Sequence, residues 1–262
     1  MLYVIGDIHG YSAQLDRALG LIAADGGAEA PVVFLGDYTD RGPDSRGVLQ
    51  RLIDGQADGR DWTCLKGNHD RMFWRFVERG EPHDAHIKSG KGWLNSSLGG
   101  DATLASYGIV PTATPRFGWD ADHREVLLEW PSERGDLDTD GLAALAREAV
   151  PQAHRDFIAG LPLTHRAEGH LFVHAGIRPG VPLEDQAEDD LVWIRDGWLD
   201  NEDDHGIVVV HGHTALKRPT HFGNRIDLDA GAGYGNPLVP AVLEDGDWFT
   251  LSETGRTPLR PA

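Results

Sequence analysis

The stretch PVVFLGDYTDRGP, residues 31–43, begins as an apolar strand and places Asp37, Asp40 and Arg41 just beyond it. A buried carboxylate with no partner is costly, so charges at the end of a buried strand are solvated, paired or bound to a metal. Whether the pattern recurs decides among these. Residues 2–5 lead into GDIHG (6–10) and a helical stretch over 12–24, with Ser12 as N-cap. Residues 32–35 lead into GDYTDRG (36–42) and a helix over 45–52, and residues 62–65 lead into KGNHD (66–70) and a helix over 72–77. Strand, polar loop and helix at roughly thirty-residue spacing are βαβ units. They imply a mainly parallel sheet with the three loops together at its C-terminal edge, where α/β folds place their sites.

Residues 79–163 loosen into Gly-rich, Trp-bearing segments, among them KSGKGWLNSSLGGDATLASYG (88–108), and then an Ala-rich amphipathic helix at 142–158. This reads as a helical, cap-like insertion over the sheet. Strands resume at 170–173 and 207–210 and continue at 225–228, 238–243 and 248–251. The last three are separated by GAGYGN (231–236) and EDGD (244–247) and read as an antiparallel meander. The βαβ half and the β-rich half would form two facing sheets within one domain over residues 1–262.

A length of 262 residues with 40% hydrophobic content suits one large α/β domain with a small insertion. The net charge of -18 argues against a general binder of nucleic-acid backbones, which needs a basic field. Cys64, the single cysteine, lies in the apolar run 62–65 and reads as a buried small hydrophobe. The N-terminal residues show no basic leader with an apolar core, and no run of eighteen apolar residues occurs, so the expected location is cytoplasmic with no membrane association.

Asp7 and His9 alternate in one extended loop, so both side chains can point the same way. Asp37 takes the equivalent place on the second unit, and Asn68 and His69 on the third. His174 in LFVHAGI (171–177) and His213 in HGHT (211–214) each follow an apolar strand. Singly these are weak signals: Gly-Asp after a strand is usually a turn, and a lone His is usually a core residue. Five strand ends in register are what make a metal the better explanation. The N and O donors, without thiolate, suit Mn, Fe or Zn rather than a structural Cys-type zinc site.

GDIHG, GDYTDRG, GNHD, VHAGI and GHT, in that order over residues 4–214, resemble the calcineurin-like metallophosphoesterases. Within them the chain is similar to the phosphoprotein phosphatases and symmetrical diadenosine tetraphosphatases, also in Trp193-Ile-Arg195 and in LDAGAG (228–233). The resemblance implies a four-layer α/β/β/α sandwich of two mixed sheets. It implies two divalent metal ions, manganese first with iron or zinc as alternatives, one held by Asp7, His9 and Asp37 and the other by Asp37, Asn68, His174 and His213. It further implies a metal-bound hydroxide as nucleophile, Arg41 and Arg195 on the phosphoryl oxygens, His69 as the acid for the leaving oxygen, and Asp40 orienting that imidazole.

The nuclease and cyclic-nucleotide branches end in GHxH, where this chain has Ala215, which favours the phosphatase branch. His211 reads as structural or as a support for the ligands ahead of a ligand itself, and the GNHD ending in Asp70 in place of the family's frequent Glu has no account from sequence. His83, His86 and the acidic run 202–205 read as solvated loops, and Trp74, Trp93 and Trp193 as core or cap packing. The leading expectation is a phosphomonoesterase acting on a phosphorylated protein (serine, threonine or tyrosine) or a small phosphoester. Symmetrical hydrolysis of dinucleoside tetraphosphates is the alternative. A non-catalytic phosphoesterase-like scaffold is a third reading, which the full set of expected ligands makes the weakest.

Overall fold

The computed structural model describes residues 1–26 and 29–261. Its first half runs β1 (Leu2–Ile5), α1 (Ser12–Gly26), β2 (Val32–Phe34), α2 (Ser45–Ala57), β3 (Trp62–Cys64) and α3 (Asn68–Arg79). The three strands pair in parallel, Val4 opposite Val33 and Val33 opposite Thr63. They are short and apolar because both faces are covered. Tyr3, Ile5, Val32, Phe34 and Cys64 pack toward α1–α3, while Leu2, Val4, Val33, Leu35 and Leu65 pack toward the second sheet. Asp44 caps α2 by accepting the Gly47 N–H (2.9 Å). Cys64 is buried, and burial pushes its thiol up, as a structural cysteine requires.

The chain continues through α4 (Gly100–Ser106), β4 (Arg116–Trp119), β5 (Glu125–Ser132), β6 (Gly135–Leu137), α5 (Thr139–Ala149) and α6 (Gln152–Gly160). The insertion is therefore not purely helical, because β4, β5 and β6 form a small antiparallel sheet. The expected single helix over 142–158 is two, parted at Pro151, which has no N–H to continue the ladder.

The last part comprises β7 (Thr164–Ala167), β8 (His170–Val173), α7 (Glu188–Trp193), β9 (Val208–His211), β10 (Thr220–His221), β11 (Arg225–Asp227), β12 (Ala241–Glu244), β13 (Asp247–Ser252) and β14 (Gly255–Pro258). The first sheet has the order β14-β13-β12-β1-β2-β3 and the second β10-β11-β9-β8-β7. The meander is thus β12–β14. The strand expected at 225–228 lies instead in the second sheet, parallel to β9, and β12 adds antiparallel to β1. The sheets pack face to face through Val4, Val33, Phe172, Val210 and Ile226. On the outer face of the second sheet, Leu191 of α7 and Trp198 cover Leu171, Val173 and Val209. The result is the four-layer α/β/β/α sandwich.

One side chain locks the loops after β2 and β3 together. The Asp70 carboxylate, in the first turn of α3, accepts backbone N–H groups from Gly67 (3.0 Å), Asp37 (2.8 Å) and Tyr38 (2.9 Å). Burial pushes its pKa up to about 6 while these three donors hold it down, so it is ionised at neutral pH. This supplies the account of Asp70 that sequence alone does not. Asp70→Ala would strand three buried donors, each worth about 1–3 kcal/mol. Urea unfolding of the metal-free variant is expected to show at least about 3 kcal/mol lost, and an unchanged midpoint would refute the clamp.

Candidate metal centre

The loops that carry the conspicuous residues adopt backbone geometry that L-residues avoid. Of the eight non-glycine residues with positive φ among those described, five are His9, Asp37, Asp40, Arg41 and His213. Such strain persists only where the surroundings enforce it, and it concentrates at functional sites. Close approach enforces it here. A Cβ on Gly67 would overlap Asp37 Oδ1 and the Asp37 backbone N, and one on Gly212 would overlap Asp7 Oδ1.

Asp7, His9, Asp37, Asn68, His69, His174 and His213 are all buried and converge on one region. His174 gives its Nδ1–H to Leu35 O (2.9 Å), which leaves a lone pair on Nε2. Facing that lone pair are Asn68 Oδ1 at 2.9 Å and Asp37 Oδ1 at 3.4 Å, two more acceptors. Burial pushes the His174 pKa down to about 3, so no imidazolium proton fills the gap. His213 Nε2, also buried, has no hydrogen-bond partner. Asp37, His174 and His213 present ligand atoms within 4.8 Å of one another. Converging lone pairs without a donor fit a cation.

The second grouping lies across Asp37. His9 Nδ1–H donates to Thr39 O (2.9 Å), so its Nε2 lone pair faces Asp37 Oδ2 (3.6 Å) and Asp7 Oδ2 (3.9 Å). The ligand atoms of His9, Asp37 and His69 also lie within 4.8 Å of one another, but His69 Nδ1 is engaged by Asp40 Oδ2 at 2.6 Å. Asp37 belongs to both groups, as a bridging ligand would. Its pKa is driven well up by burial and then by Asp70, and that of Asp7 by burial and then by Asp229 and Asp37. His9 and His213 are driven well down by burial.

Around these groups stand Arg41, which donates to His9 Nε2 (2.8 Å) and His69 Nε2 (3.2 Å), and Arg195, which donates to His213 O (3.2 Å). Asp40 is fixed by two donors from the insertion: Trp93 Nε1 on Oδ2 (2.8 Å) and Thr103 Oγ1 on Oδ1 (2.7 Å). Burial pushes Asp40 up to about 7 and drives His69 well down, so the pair retains a proton near neutrality.

Every sequence-derived candidate is therefore in this one region. His211 is set apart: its Nδ1 donates to Gly212 O and its ring meets Trp198, outside both groups. Trp193 packs edge-on against His213 at 5.8 Å, and the exposed His86 stacks on it. Four residues that no sequence motif marks as ligands or acids stand at the site: Thr103 and Trp93 on Asp40, and the buried Asp227 and Asp229, of which Asp229 bears electrostatically on Asp7. The LDAGAG stretch was the available signal for Asp229. For Thr103 there was none.

Known proteins bear on this geometry. Over 178 residues, 68% of the chain, it is 42% identical to the symmetrical bis(5'-nucleosyl)-tetraphosphatase of Paracidovorax citrulli, covering 45% of that protein. It is 25% identical to serine/threonine-protein phosphatase 1 of Salmonella typhimurium, covering 93% of the chain and 92% of the relative. The chain spans about half the length of several curated relatives that it matches. The cold-active protein-tyrosine phosphatase of a Shewanella species shares the fold, with a TM-score of 0.60 at 16% identity over 99% of this chain and 80% of that one. Residues 1–241 match the calcineurin-like phosphoesterase model, and the chain belongs to that family of metal-dependent hydrolases.

Proposed function

We propose that the chain is a phosphomonoesterase working with two divalent metal ions, manganese first, on a phosphorylated protein or a small phosphoester. The observation that carries this is the convergence of buried carboxylate, amide and imidazole acceptor atoms on Asp37, His213 Nε2 among them without a partner, beside two arginines and a proton-holding Asp40–His69 pair. Asp7, His9 and Asp37 would hold one ion, and Asp37, Asn68, His174 and His213 the other. When bound, the ions would polarise the phosphoryl group and lower the pKa of water.

The chain's own groups do the rest. Arg41 and Arg195 offer planar donors to the phosphoryl oxygens, Arg41 turning from the His9 nitrogen that it now occupies. Water adds to phosphorus and the ester P–O bond breaks; with Arg41 turned away from His69 Nε2, the departing oxygen takes through Nε2 the extra proton that the Asp40–His69 pair holds, and the proton of the attacking water later restores the pair. Asp40 keeps Nδ1–H pinned so that Nε2 faces outward. Trp93 and Thr103 keep Asp40 in place.

The symmetrical tetraphosphatase reading has its own support in the 42% identity to a relative so named. Phosphate release after Mn²⁺ reconstitution, from p-nitrophenyl phosphate, a phosphopeptide panel and diadenosine tetraphosphate, separates the two. Faster turnover of monoesters, lost in Asp37→Ala, is the expected result. Preferred cleavage of the dinucleotide to two ADP would transfer the assignment, and silence on all three with metal bound would leave the scaffold reading. Asp40→Asn is expected to lower kcat about 10²–10⁴-fold with KM little changed.

Metal uptake has a predictable pH dependence. The ligand histidines are already neutral, because their pKa values are lowered, whereas Asp7 and Asp37 have raised values and must lose protons. Affinity therefore rises with pH, and uptake releases protons from carboxylates. Titration calorimetry at pH 7 in buffers of differing ionisation enthalpy is expected to show this release. Proton uptake, or release that vanishes above the usual histidine range, would contradict the assignment.

A further inference from the structure

Away from the metal centre, a cavity of about 230 Å³ lies between α3, α6 and the start of α7. Its wall carries four cations, Lys66, Arg71, Arg75 and Arg79, with Trp74 and a single carboxylate, Glu188. In a chain of net charge -18 this is a local concentration of cations. Arg71, Arg75 and Arg79 recur at four-residue spacing, so their guanidinium groups share one helix face and repel one another.

The protein meets part of that charge from outside the wall. Asp84 accepts from Arg71 Nη2 (2.9 Å) and Arg75 Nη1 (3.1 Å), Asp189 accepts from Arg71 Nη1 (2.7 Å), Arg79 stands 3.9 Å from Glu81 and lies over Trp74 at 5.0 Å, and in the wall itself Glu188 stands 3.7 Å from Arg71 Nη1. Two donors are left over. Lys66 is half-buried and makes no ion pair or side-chain hydrogen bond among the described residues. Arg71 is only 4% exposed, yet its Nε is buried without an acceptor. A buried donor left unmet costs about 1–3 kcal/mol, and an oxyanion in the cavity would satisfy both at once.

We infer that this cavity is a binding site for a phosphate-class oxyanion, held by Lys66, Arg71 and Arg75 and distinct from the metal centre. The inference does not rest on the proposed catalysis. The ligand chemistry is met equally by free phosphate and by a phosphoryl group on a peptide. Helix α3 carries Asn68 and His69 at its start and this face along its length, so an anion seated here stands on the same rigid element as two of the site's groups.

Lys66 itself can report occupancy. Its amine attacks an N-hydroxysuccinimide ester, forming an amide and expelling N-hydroxysuccinimide with loss of the amine proton, and an anion seated against Nζ blocks the approach of the ester. Acylation of Lys66 in the metal-loaded protein, read by peptide mass spectrometry, is expected to slow by about tenfold or more at saturating inorganic phosphate relative to chloride of equal ionic strength. The protection should persist in Asp37→Asn, and Arg75→Met, at a half-buried position, should weaken it by roughly tenfold. A phosphoserine peptide added to Asp37→Asn tells the sources apart: protection at lower concentration than phosphate identifies a peptide-borne group, and protection by phosphate alone identifies the free anion. Equal acylation rates with phosphate and chloride, protection that disappears with Asp37→Asn, or protection indifferent to Arg75→Met would each overturn the inference.

Discussion

The structure depends on burying carboxylates where the chain supplies too few cations to pair with them. Asp7, Asp37, Asp227 and Asp229 are all buried, and the ion-pair neighbours of Asp7 and Asp37 among the described residues are histidines held neutral. Backbone donors meet part of the demand: His69 N–H on Asp37 and His213 N–H on both oxygens of Asp7. The remainder is met by protons: burial and neighbouring carboxyl groups raise the pKa values of Asp7 and Asp37, which favours their neutral form until a cation arrives. Folding and metal uptake are linked for that reason, since whatever binds the native cluster and not the unfolded chain adds its binding free energy to stability. The five strained positions sit on the same loops, so strain and buried carboxyl groups are concentrated together.

Sequence made the metal cluster legible because each ligand follows a strand whose alternation is intact, and the loop register is then forced. Tyr3 and Ile5 face one core and Leu2 and Val4 the other, which leaves Asp7 and His9 only one direction at the strand end. What was not legible depended on pairing between distant segments. The strand at Arg225–Asp227 has the pattern of a meander strand, but its partner is β9 rather than its successor, and nothing in its residues encodes that choice. Arg116–Trp119 is mostly exposed and alternates weakly, so its pairing with β5 carries little apolar signal. Thr103 reaches Asp40 across 63 residues, and Trp93 across 53, through contacts that no periodicity announces.

Those two contacts change what the insertion is. Arg41 lowers the Asp40 pKa less than Thr103 and Trp93 do, and these two are neutral donors. They hold the Asp40 proton affinity down against the larger upward push of burial, and Asp40 stands at about 7. Thr103 also accepts the Asp40 backbone N–H (2.8 Å), so the seven-residue helix α4 and the strained loop at Asp40 hold each other in place. The segment that would shape the entrance for a substrate therefore also sets the proton affinity of the Asp40–His69 pair. A change in this insertion that altered the entrance would have to keep the Trp93 indole and the Thr103 hydroxyl at this point, or retune the acid with it.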